Sequence, residues 1–468
     1  MKRGFLGSLG IITLIAAMPA LSADLLSVYD QALVNDPQIR EAEATRRAVH
    51  EAKPQARGAL LPQVTGSAGK SRQWSDINGL TPLFPGDPNP AVTDATNIST
   101  TKQWALNIRQ NVFSWQNWVN LRMAGHEVAQ SEADYLVALQ SLAQRVAQQY
   151  FAVLQAQDTV EAQEASREAI IRQLEQQERR FEVGLIAITD VQEARAERDN
   201  AAAQVIAAKR ALASAEEQLR ATIGEKPASL KEPGEDMPLL SPNPASEEDW
   251  VRISMDQNAS LISSRLAADI ARDQVSSAFS GHLPTVDLVA GRNHSDGQTH
   301  SIRSNGITDS TSDTFGKSLS LQISVPLFSG GVTQSRVRES QYRWIAAKER
   351  LERTSRTTER TARDAFLGVN SEIARVQALK QALQSSQTAL AATEAGYEVG
   401  TRTTVDVLNA RRTLVAAQTS YSAAKYSYLN NVIQLRLAAG NLDRSTMEEI
   451  NRLLTVTPSE TPTPPAAQ

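Results

Sequence analysis

This chain is written twice, and that limits its fold more than any other feature. Leu61-Pro-Gln-Val64 returns as Leu283-Pro-Thr-Val286, and Asn35-Asp-Pro37 aligns with Gln257-Asn-Ala259, both at an offset of 222 residues. Farther on, Leu106-Asn-Ile108 and Val112-Phe-Ser114 return as Leu321-Gln-Ile323 and Leu327-Phe-Ser329. Phe181-Glu-Val-Gly184, Thr189-Asp-Val191 and Ala194-Arg195 return as Tyr397-Glu-Val-Gly400, Val405-Asp-Val407 and Ala410-Arg411, now at an offset of 216. Solenoid repeats are only ~20–50 residues long. The ordered series of matches therefore marks duplication of one large structural half.

Proline then divides each half, because a helix interior rejects it at a cost of ~3 kcal/mol. No proline lies between Pro90 and Pro227, or between Pro326 and Pro458. Within the first territory, Leu142, Val146, Gln149, Val153, Ala156, Val160, Gln163, Arg167, Ile170, Leu174, Gln177 and Phe181 recur in alternating steps of four and three, a heptad seam. The second seam runs Phe366, Val369, Ile373, Val376, Leu379, Leu383, Ser386, Leu390, Thr393 and Tyr397. The spacing predicts long helices over about 115–182 and 331–398, each ~100 Å at ~1.5 Å per residue. Gly184 and Gly400 end them, and return helices follow over about 187–223 and 403–439. Shorter helices are predicted for 24–57 and 246–279, and a Pro-rich linker for 225–245.

Between these helices the period changes from 3.6 to 2. Leu319, Leu321, Ile323 and Val325 alternate with Ser318, Ser320, Gln322 and Ser324, and Trp104, Leu106 and Ile108 with Ala105, Asn107 and Arg109. Strands are predicted at about 61–74, 102–113, 283–294 and 314–326, with the polar stretches 75–99 and 295–312 as long loops. Amphipathic strands of ~9–11 residues suit a membrane barrel, yet the smallest such barrels need ~8 strands. Four strands per chain therefore predict association, and three copies give twelve strands around a solvent channel.

The N-terminus fits this compartment. Lys2 and Arg3 precede an apolar stretch and the small-residue segment Met18–Ala23, which predicts a secretory signal peptide over residues 1–23. The chain has no cysteine, so neither disulfides nor thiolate metal sites are available. With 48 basic against 52 acidic residues it carries no footprint for nucleic acid. His50, His126, His282, His294 and His300 show no metal-ligand spacing, and no phosphate loop or nucleophile elbow is present. The expectation is a protein without catalytic residues, metal or cofactor.

The signal peptide, the two helix-strand-strand-helix-helix halves, and the pair Phe181-Glu-Val-Gly-Leu185 and Tyr397-Glu-Val-Gly-Thr-Arg-Thr-Thr-Val-Asp-Val-Leu408 together resemble the TolC family of outer-membrane factors. The resemblance covers the chain up to the Thr- and Pro-rich tail. It implies an α+β membrane protein, a homotrimeric twelve-stranded outer-membrane β-barrel continued by an α-helical coiled-coil periplasmic tunnel. Residues 24–224 and 246–440 form its two repeats, 441–456 a C-terminal equatorial segment and 457–468 a disordered tail. The function implied is an exit duct for tripartite efflux pumps or type I secretion. Its partners are a periplasmic adaptor (membrane fusion protein), an inner-membrane transporter of RND, ABC or MFS type, and outer-membrane lipid. By the same resemblance Tyr397 and Arg402 tie the second hairpin to Thr189 and Asp190, closing the entrance. Asp406 lines the narrowest point, with Asn409 where some members carry a second acidic residue. The turns Val183-Gly184-Leu185 and Val399-Gly400-Thr401 receive the adaptor. Helix capping and solvation account for the same residues more simply, and a periplasmic coiled-coil adaptor shares the hairpins, so both alternatives stay open at this level.

Overall fold

The computed structural model describes residues 23–81, 84–86, 88, 91–227, 229–234, 237–303 and 306–454. The predicted signal peptide, apart from Ala23, and the tail lie outside these residues. The first half runs through α1 (Leu25–Asn35), α2 (Pro37–His50), α3 (Ala52–Gly58), β1 (Gln63–Thr81), β2 (Ala91–Phe113), α4 (Trp115–Glu182) and α5 (Ile188–Ile223). The second half repeats that order with α6 (Glu247–Gln257), α7 (Ala259–Phe279), β3 (Thr285–Arg303), β4 (Gly306–Ser324), α8 (Val332–Glu398) and α9 (Thr404–Ala438), and α10 (Arg444–Leu454) follows. The chain divides into two compact units: residues 45–133 with 263–353, and the remainder.

Each short helical segment predicted as continuous is broken, and at duplicated positions. Asp36 and Asn258 both have extended backbone, with ψ of 121° and 116°. Asp36 Oδ1 accepts the Gln38 amide at 3.0 Å and Asn258 Oδ1 the Leu261 amide at 3.0 Å, so each side chain caps the helix that follows. Asn35 and Asn258 also donate through Nδ2 to the last carbonyls of the return helices, Ile223 and Ala438, at 2.7 and 3.1 Å. The polar residues at these breaks are thus the joints where each half fastens to itself.

In the larger unit the core gathers Trp250, Tyr150, Phe151, Tyr426 and Tyr428, all fully buried, with aliphatic residues of α1, α4, α8, α9 and α10. Their polar tips hold the Pro-rich linker down. Tyr150 donates to the Lys231 carbonyl at 2.8 Å, and Trp250 Nε1 to that of Pro244 at 2.8 Å. Tyr428 accepts from the Leu240 amide at 2.8 Å and donates to its carbonyl at 3.0 Å. Here a Pro-rich segment, short of backbone donors, takes part of its hydrogen bonding from aromatic side chains. Along the long helices the seam positions from Leu142 to Gln177 and from Phe366 to Tyr397 are mostly buried or half-buried.

The other unit carries an antiparallel sheet in the order β1-β2-β3-β4. Its register puts Val64, Ile108, Ala290 and Leu319 in one row across the four strands. This apolar face is open: Leu319, Leu321 and Ile323 are 75%, 62% and 63% exposed. The opposite face is polar and crowded, as the inside of a curved sheet is. A Cβ on Gly316 would come within 2.2 Å of Asn293 Oδ1, and one on Gly291 within 2.8 Å of Ser318 Oγ.

The strands are 19, 23, 19 and 19 residues long, each longer than the stretch predicted for it. Most of 75–99 and 295–312, predicted as loop, is strand instead. Beyond Trp104 polar residues predominate on both faces, with Trp74, Ile98, Ile302 and Ile307 scattered among them, so the regular apolar alternation that marks a half-buried strand fades while the backbone ladder continues. Ser and Thr pair across it: Ser99 meets Thr299 at 3.0 Å, and Thr96 donates to Asp76 at 2.7 Å. His294 stacks on Phe315 at 4.2 Å and lies 6.2 Å from Trp104.

Candidate functional site: the hairpin turns

Both long helices end on the same hydrogen-bonded turn. Gly184 and Gly400 have φ of +76° and +78°, the left-handed conformation that lets a helix stop. Their amides donate to the carbonyls of Phe181 and Tyr397 at 2.9 and 3.1 Å, and the next amides, of Leu185 and Thr401, to those of Arg180 and Gly396 at 2.9 and 2.8 Å. This is the Schellman pattern, and it projects the flanking apolar side chains outward. Val183, Leu185 and Val399 are 70%, 73% and 76% exposed.

The return helices start differently in the two copies. At α9, the Thr403 amide and hydroxyl both donate to Asp406 Oδ2 at 2.9 Å, and the Asp406 amide donates back to the Thr403 hydroxyl at 3.2 Å. That reciprocal box needs a hydroxyl at the cap. At α5 the cap is Ala187, which has none, although Asp190 holds the position matching Asp406. The Thr403 amide and hydroxyl, with Arg402 nearby, hold the Asp406 carboxyl below its ordinary 3.8. Asn409 is exposed one turn on, and its backbone carbonyl accepts the Thr413 hydroxyl at 2.9 Å.

The four predicted gate residues are not joined to one another within one chain. The Tyr397 hydroxyl is buried without a hydrogen-bond partner among the described residues, and its ring lies 5.2 Å from the Arg180 guanidinium. Arg402 is exposed, its stem folded over Gly396, where a Cβ would come within 2.8 Å of Arg402 Cγ. Thr189 is exposed and Asp190 half-buried. Among the described residues, neither Arg402 nor Asp190 makes an ion pair.

What does link the two copies near the turns was not legible in the sequence. Gln177, 0% exposed, donates from Nε2 to the Thr404 hydroxyl at 3.0 Å, and Oε1 of the same amide has no partner among the described residues. Farther from the turns, Arg412 of α9 pairs with Glu197 of α5, Nε donating to Oε1 at 2.8 Å and Nη2 to Oε2. Each hairpin also carries a matching internal pair, Arg195 with Glu178 at 2.7 Å and Arg411 with Glu394 at 2.5 Å. The duplicated Ala-Arg motif at 194–195 and 410–411 was the available signal for that pair.

The chain is 35% identical over 451 residues to the outer membrane protein TolC of Vibrio cholerae, covering 94% of this chain and 97% of that relative. It is 35% identical to TolC of Escherichia coli, covering 94% and 86%. It is 30% identical to the alkaline protease secretion protein AprF of Pseudomonas aeruginosa, covering 96% and 91%. Among solved structures, the outer membrane channel CmeC of Campylobacter jejuni superposes with a TM-score of 0.73 at 18% identity, covering 97% of this chain and 98% of that one. The outer membrane protein VceC of Vibrio cholerae gives 0.71 at 21% identity, covering 89% and 96%. The model of the family described as "Outer membrane efflux protein" matches residues 28–225 and again 250–441, so both halves carry it, and the chain belongs to that family of outer-membrane proteins.

Proposed function

We infer that this protein is the outer-membrane exit duct of tripartite efflux or type I secretion machinery, working as a homotrimer. The observation that carries this reading is the sheet. Within one chain β1 pairs only with β2 and β4 only with β3, so both sheet edges are open while one whole face is apolar toward the helices. Hydrocarbon tolerates no unpaired edge. Joining β4 of one copy to β1 of the next removes every edge, and three copies make a twelve-stranded wall with the Ser-, Thr- and Asn-lined face inward. A periplasmic adaptor, the other reading of the hairpins, gives the exposed Leu319, Leu321 and Ile323 no apolar surroundings.

At the other functional end, the turns form the gate. Arg402 and Asp190 are opposite charges without ion pairs in one chain, and the Tyr397 hydroxyl is a donor without an acceptor, so a neighbouring copy supplies the natural partners. Asp406, repeated by threefold symmetry, makes a carboxylate ring that draws cations. The exposed Val183, Leu185 and Val399 receive the adaptor, which hands on cargo selected by an inner-membrane transporter. The relatives' names, one of them a protease secretion protein, keep both small-molecule efflux and protein export in view.

The test is extraction and conductance of the full mature chain. The expected product needs detergent, runs as a heat-modifiable oligomer and conducts ions in planar bilayers. A monomer that stays dissolved in buffer and conducts nothing overturns the reading. Deleting the protein in its host, with parallel assays of toxin sensitivity and extracellular protein, then separates the two cargo classes.

A further inference from the structure

The apolar face of the sheet carries an arrangement of charge that its own strands do not neutralise. Arg292 stands directly opposite Lys317 in the β3–β4 register, and Lys70 directly opposite Lys102 in the β1–β2 register. Like charges set opposite one another work against strand pairing. Between the two pairs runs the ring row of Trp104, His294 and Phe315, and Arg72 follows one row beyond Lys70. Two carboxylates share this zone: Asp296 lies 4.0 Å from Lys102, and Asp313 lies 3.2 Å from His294. Among the described residues, Arg292, Lys317 and Lys70 make no ion pair.

Position decides what this strip faces. On the helix side of the ring row the same face is otherwise uncharged, with Val64, Ile108, Ala290, Leu319, Leu288, Leu321, Val286 and Ile323. On the turn side the continuous apolar band gives way to a mixed surface with Asp76, Asp94 and Asp309 beside scattered Trp74, Ile98, Ile302 and Ile307. The cations are therefore confined to the level where the apolar band ends in aromatic rings, which is the headgroup level of a membrane barrel. Long stems let Arg292 and Lys317 lie along the apolar band and lift their charged ends to that level. A guanidinium beside an ammonium is a phosphate-binding pair, the first giving a planar fork and the second a point charge.

We propose that this strip holds the phosphate-bearing headgroup of an anionic lipid in the outer leaflet, with Arg292 and Lys317 gripping from the membrane side of the aromatic row and Lys70 and Lys102 from the water side. The inference rests on the sheet being a membrane wall with its β1–β2 and β3–β4 turns outward. Charge complementarity selects the occupant: five basic side chains on the two sides of the aromatic row, against the two carboxylates Asp296 and Asp313, match a lipid that carries phosphate, and an uncharged glycolipid leaves the excess of positive charge unpaired.

The test uses the detergent-solubilised oligomer of the full mature chain, titrated with diphosphoryl lipid A and with the same lipid after dephosphorylation, bound lipid being counted by native mass spectrometry. The expected result is a preference for the phosphorylated form of ~10-fold or more, reduced to ~2-fold or less in R292Q/K317Q and retained in R292K/K317R. K70Q/K102Q, on the water side, is expected to weaken the preference in part, and it serves as the reading variant if R292Q/K317Q does not assemble. Millimolar inorganic phosphate is expected to compete poorly, because it lacks acyl chains; full competition would place a free anion in the site and overturn the lipid assignment. Equal binding of the two lipids by the parent, or a preference unchanged in the glutamine variants, also overturns it. Conductance separates this failure from that of the duct: a conducting oligomer without phosphate preference refutes only the lipid site.

Discussion

Arg412 grips Glu197 across the two return helices, with Nε donating to Oε1 at 2.8 Å and Nη2 to Oε2, and the glutamate it holds is only 6% exposed. Neither residue has its counterpart in the other copy, where Ala196 and Thr413 stand at the matching positions. The pair is therefore a departure from the duplication that joins one half to the other.

Removing the guanidinium leaves a buried carboxylate with the Asn200 side chain as its remaining hydrogen-bond partner. R412A is expected to destabilise the assembled protein by ~2–3 kcal/mol, and E197Q by less because the amide still accepts a hydrogen bond. The pH dependence separates the two variants from general loss of packing. The Arg412 hydrogen bonds hold the Glu197 carboxyl below its ordinary 4.5, against burial, which raises it. A carboxyl depressed in the folded state stabilises fully above its unfolded value and loses that contribution as pH falls through its folded value. The parent is thus expected to keep this contribution down to about pH 4. In R412A only the Asn200 hydrogen bond still opposes burial, and the loss begins at higher pH. Thermal unfolding in detergent between pH 3 and 8 reads both, and identical profiles for parent and R412A would remove the pair from the stability of the tunnel.

The glycines that end helices are not equivalent, and the difference is measurable. Gly440 has φ of +77°, and a Cβ there would come within 2.4 Å of the Gln257 carbonyl oxygen and 2.8 Å of Asn258 Cα, both backbone. Gly400 has almost the same φ of +78° but open space around it. G400A is expected to cost only the left-handed strain, ~1–2 kcal/mol, whereas G440A adds a backbone clash and is expected to cost several kcal/mol. Melting temperatures of the two variants check this, and equal shifts would mean that the Gly440 joint yields freely.

Much of this architecture was legible because it rests on periodicity. The alternation of Leu319, Leu321 and Ile323 with serines announced a one-sided sheet, and the heptads from Leu142 to Phe181 announced the long helix. The outer half of each strand was not legible. Residues such as Ser99, Thr299 and Thr311 belong to stretches where apolar residues such as Ile98, Ile302 and Ile307 are too sparse to alternate, so no regular hydrophobic pattern distinguishes them from a loop. Both short helices read as continuous, although Pro37 after Asp36 was an available sign of the first break; Asn258, ahead of an alanine, gave no comparable sign. At the turns, Gly184 and Gly400 were readable as caps and Thr404 with Asp406 as first-turn residues, while the hydroxyl that closes the box is that of Thr403. The partners of Gln177, Arg180, Glu197 and Arg412 were not, because each looks like an ordinary helix residue until a side chain distant in sequence is brought beside it.

The gate reading yields a test that separates assembly from folding. Within one chain the Tyr397 hydroxyl has no hydrogen-bond partner among the described residues and Arg402 has no ion pair, so Y397F with R402S removes no polar bond that one chain uses. Thermal stability is expected to stay within ~1 kcal/mol of the parent. Single-channel conductance in planar bilayers is expected to rise several-fold, because the phenol and the guanidinium find their partners on a neighbouring copy at the entrance. Unchanged conductance in a correctly assembled trimer would take these two side chains out of the gate.

Asp406 caps α9 and, on the proposed reading, also lines the narrowest point, and one substitution can pull the two apart. Its carboxylate closes the cap of α9 through the Thr403 amide and hydroxyl, which fix its place at the head of the helix. D406N keeps an acceptor oxygen for those donors, so the helix start is expected to weaken by no more than ~1 kcal/mol. What it removes is the charge. Block of the channel by multivalent cations is then expected to fall at least ~10-fold in affinity, since a ring of three carboxylates becomes neutral. T403A is the complementary variant: it breaks the cap and keeps the carboxylate, and is expected to preserve block while costing ~1 kcal/mol of stability. The pH course follows from the same hydrogen bonds. Because they hold the carboxyl below its ordinary 3.8, the charge that attracts cations persists as pH falls and is lost only below that value. Block that disappears between about pH 5 and 6, well above the ordinary carboxylate range, or that survives intact in D406N, would assign the narrowest point to another residue.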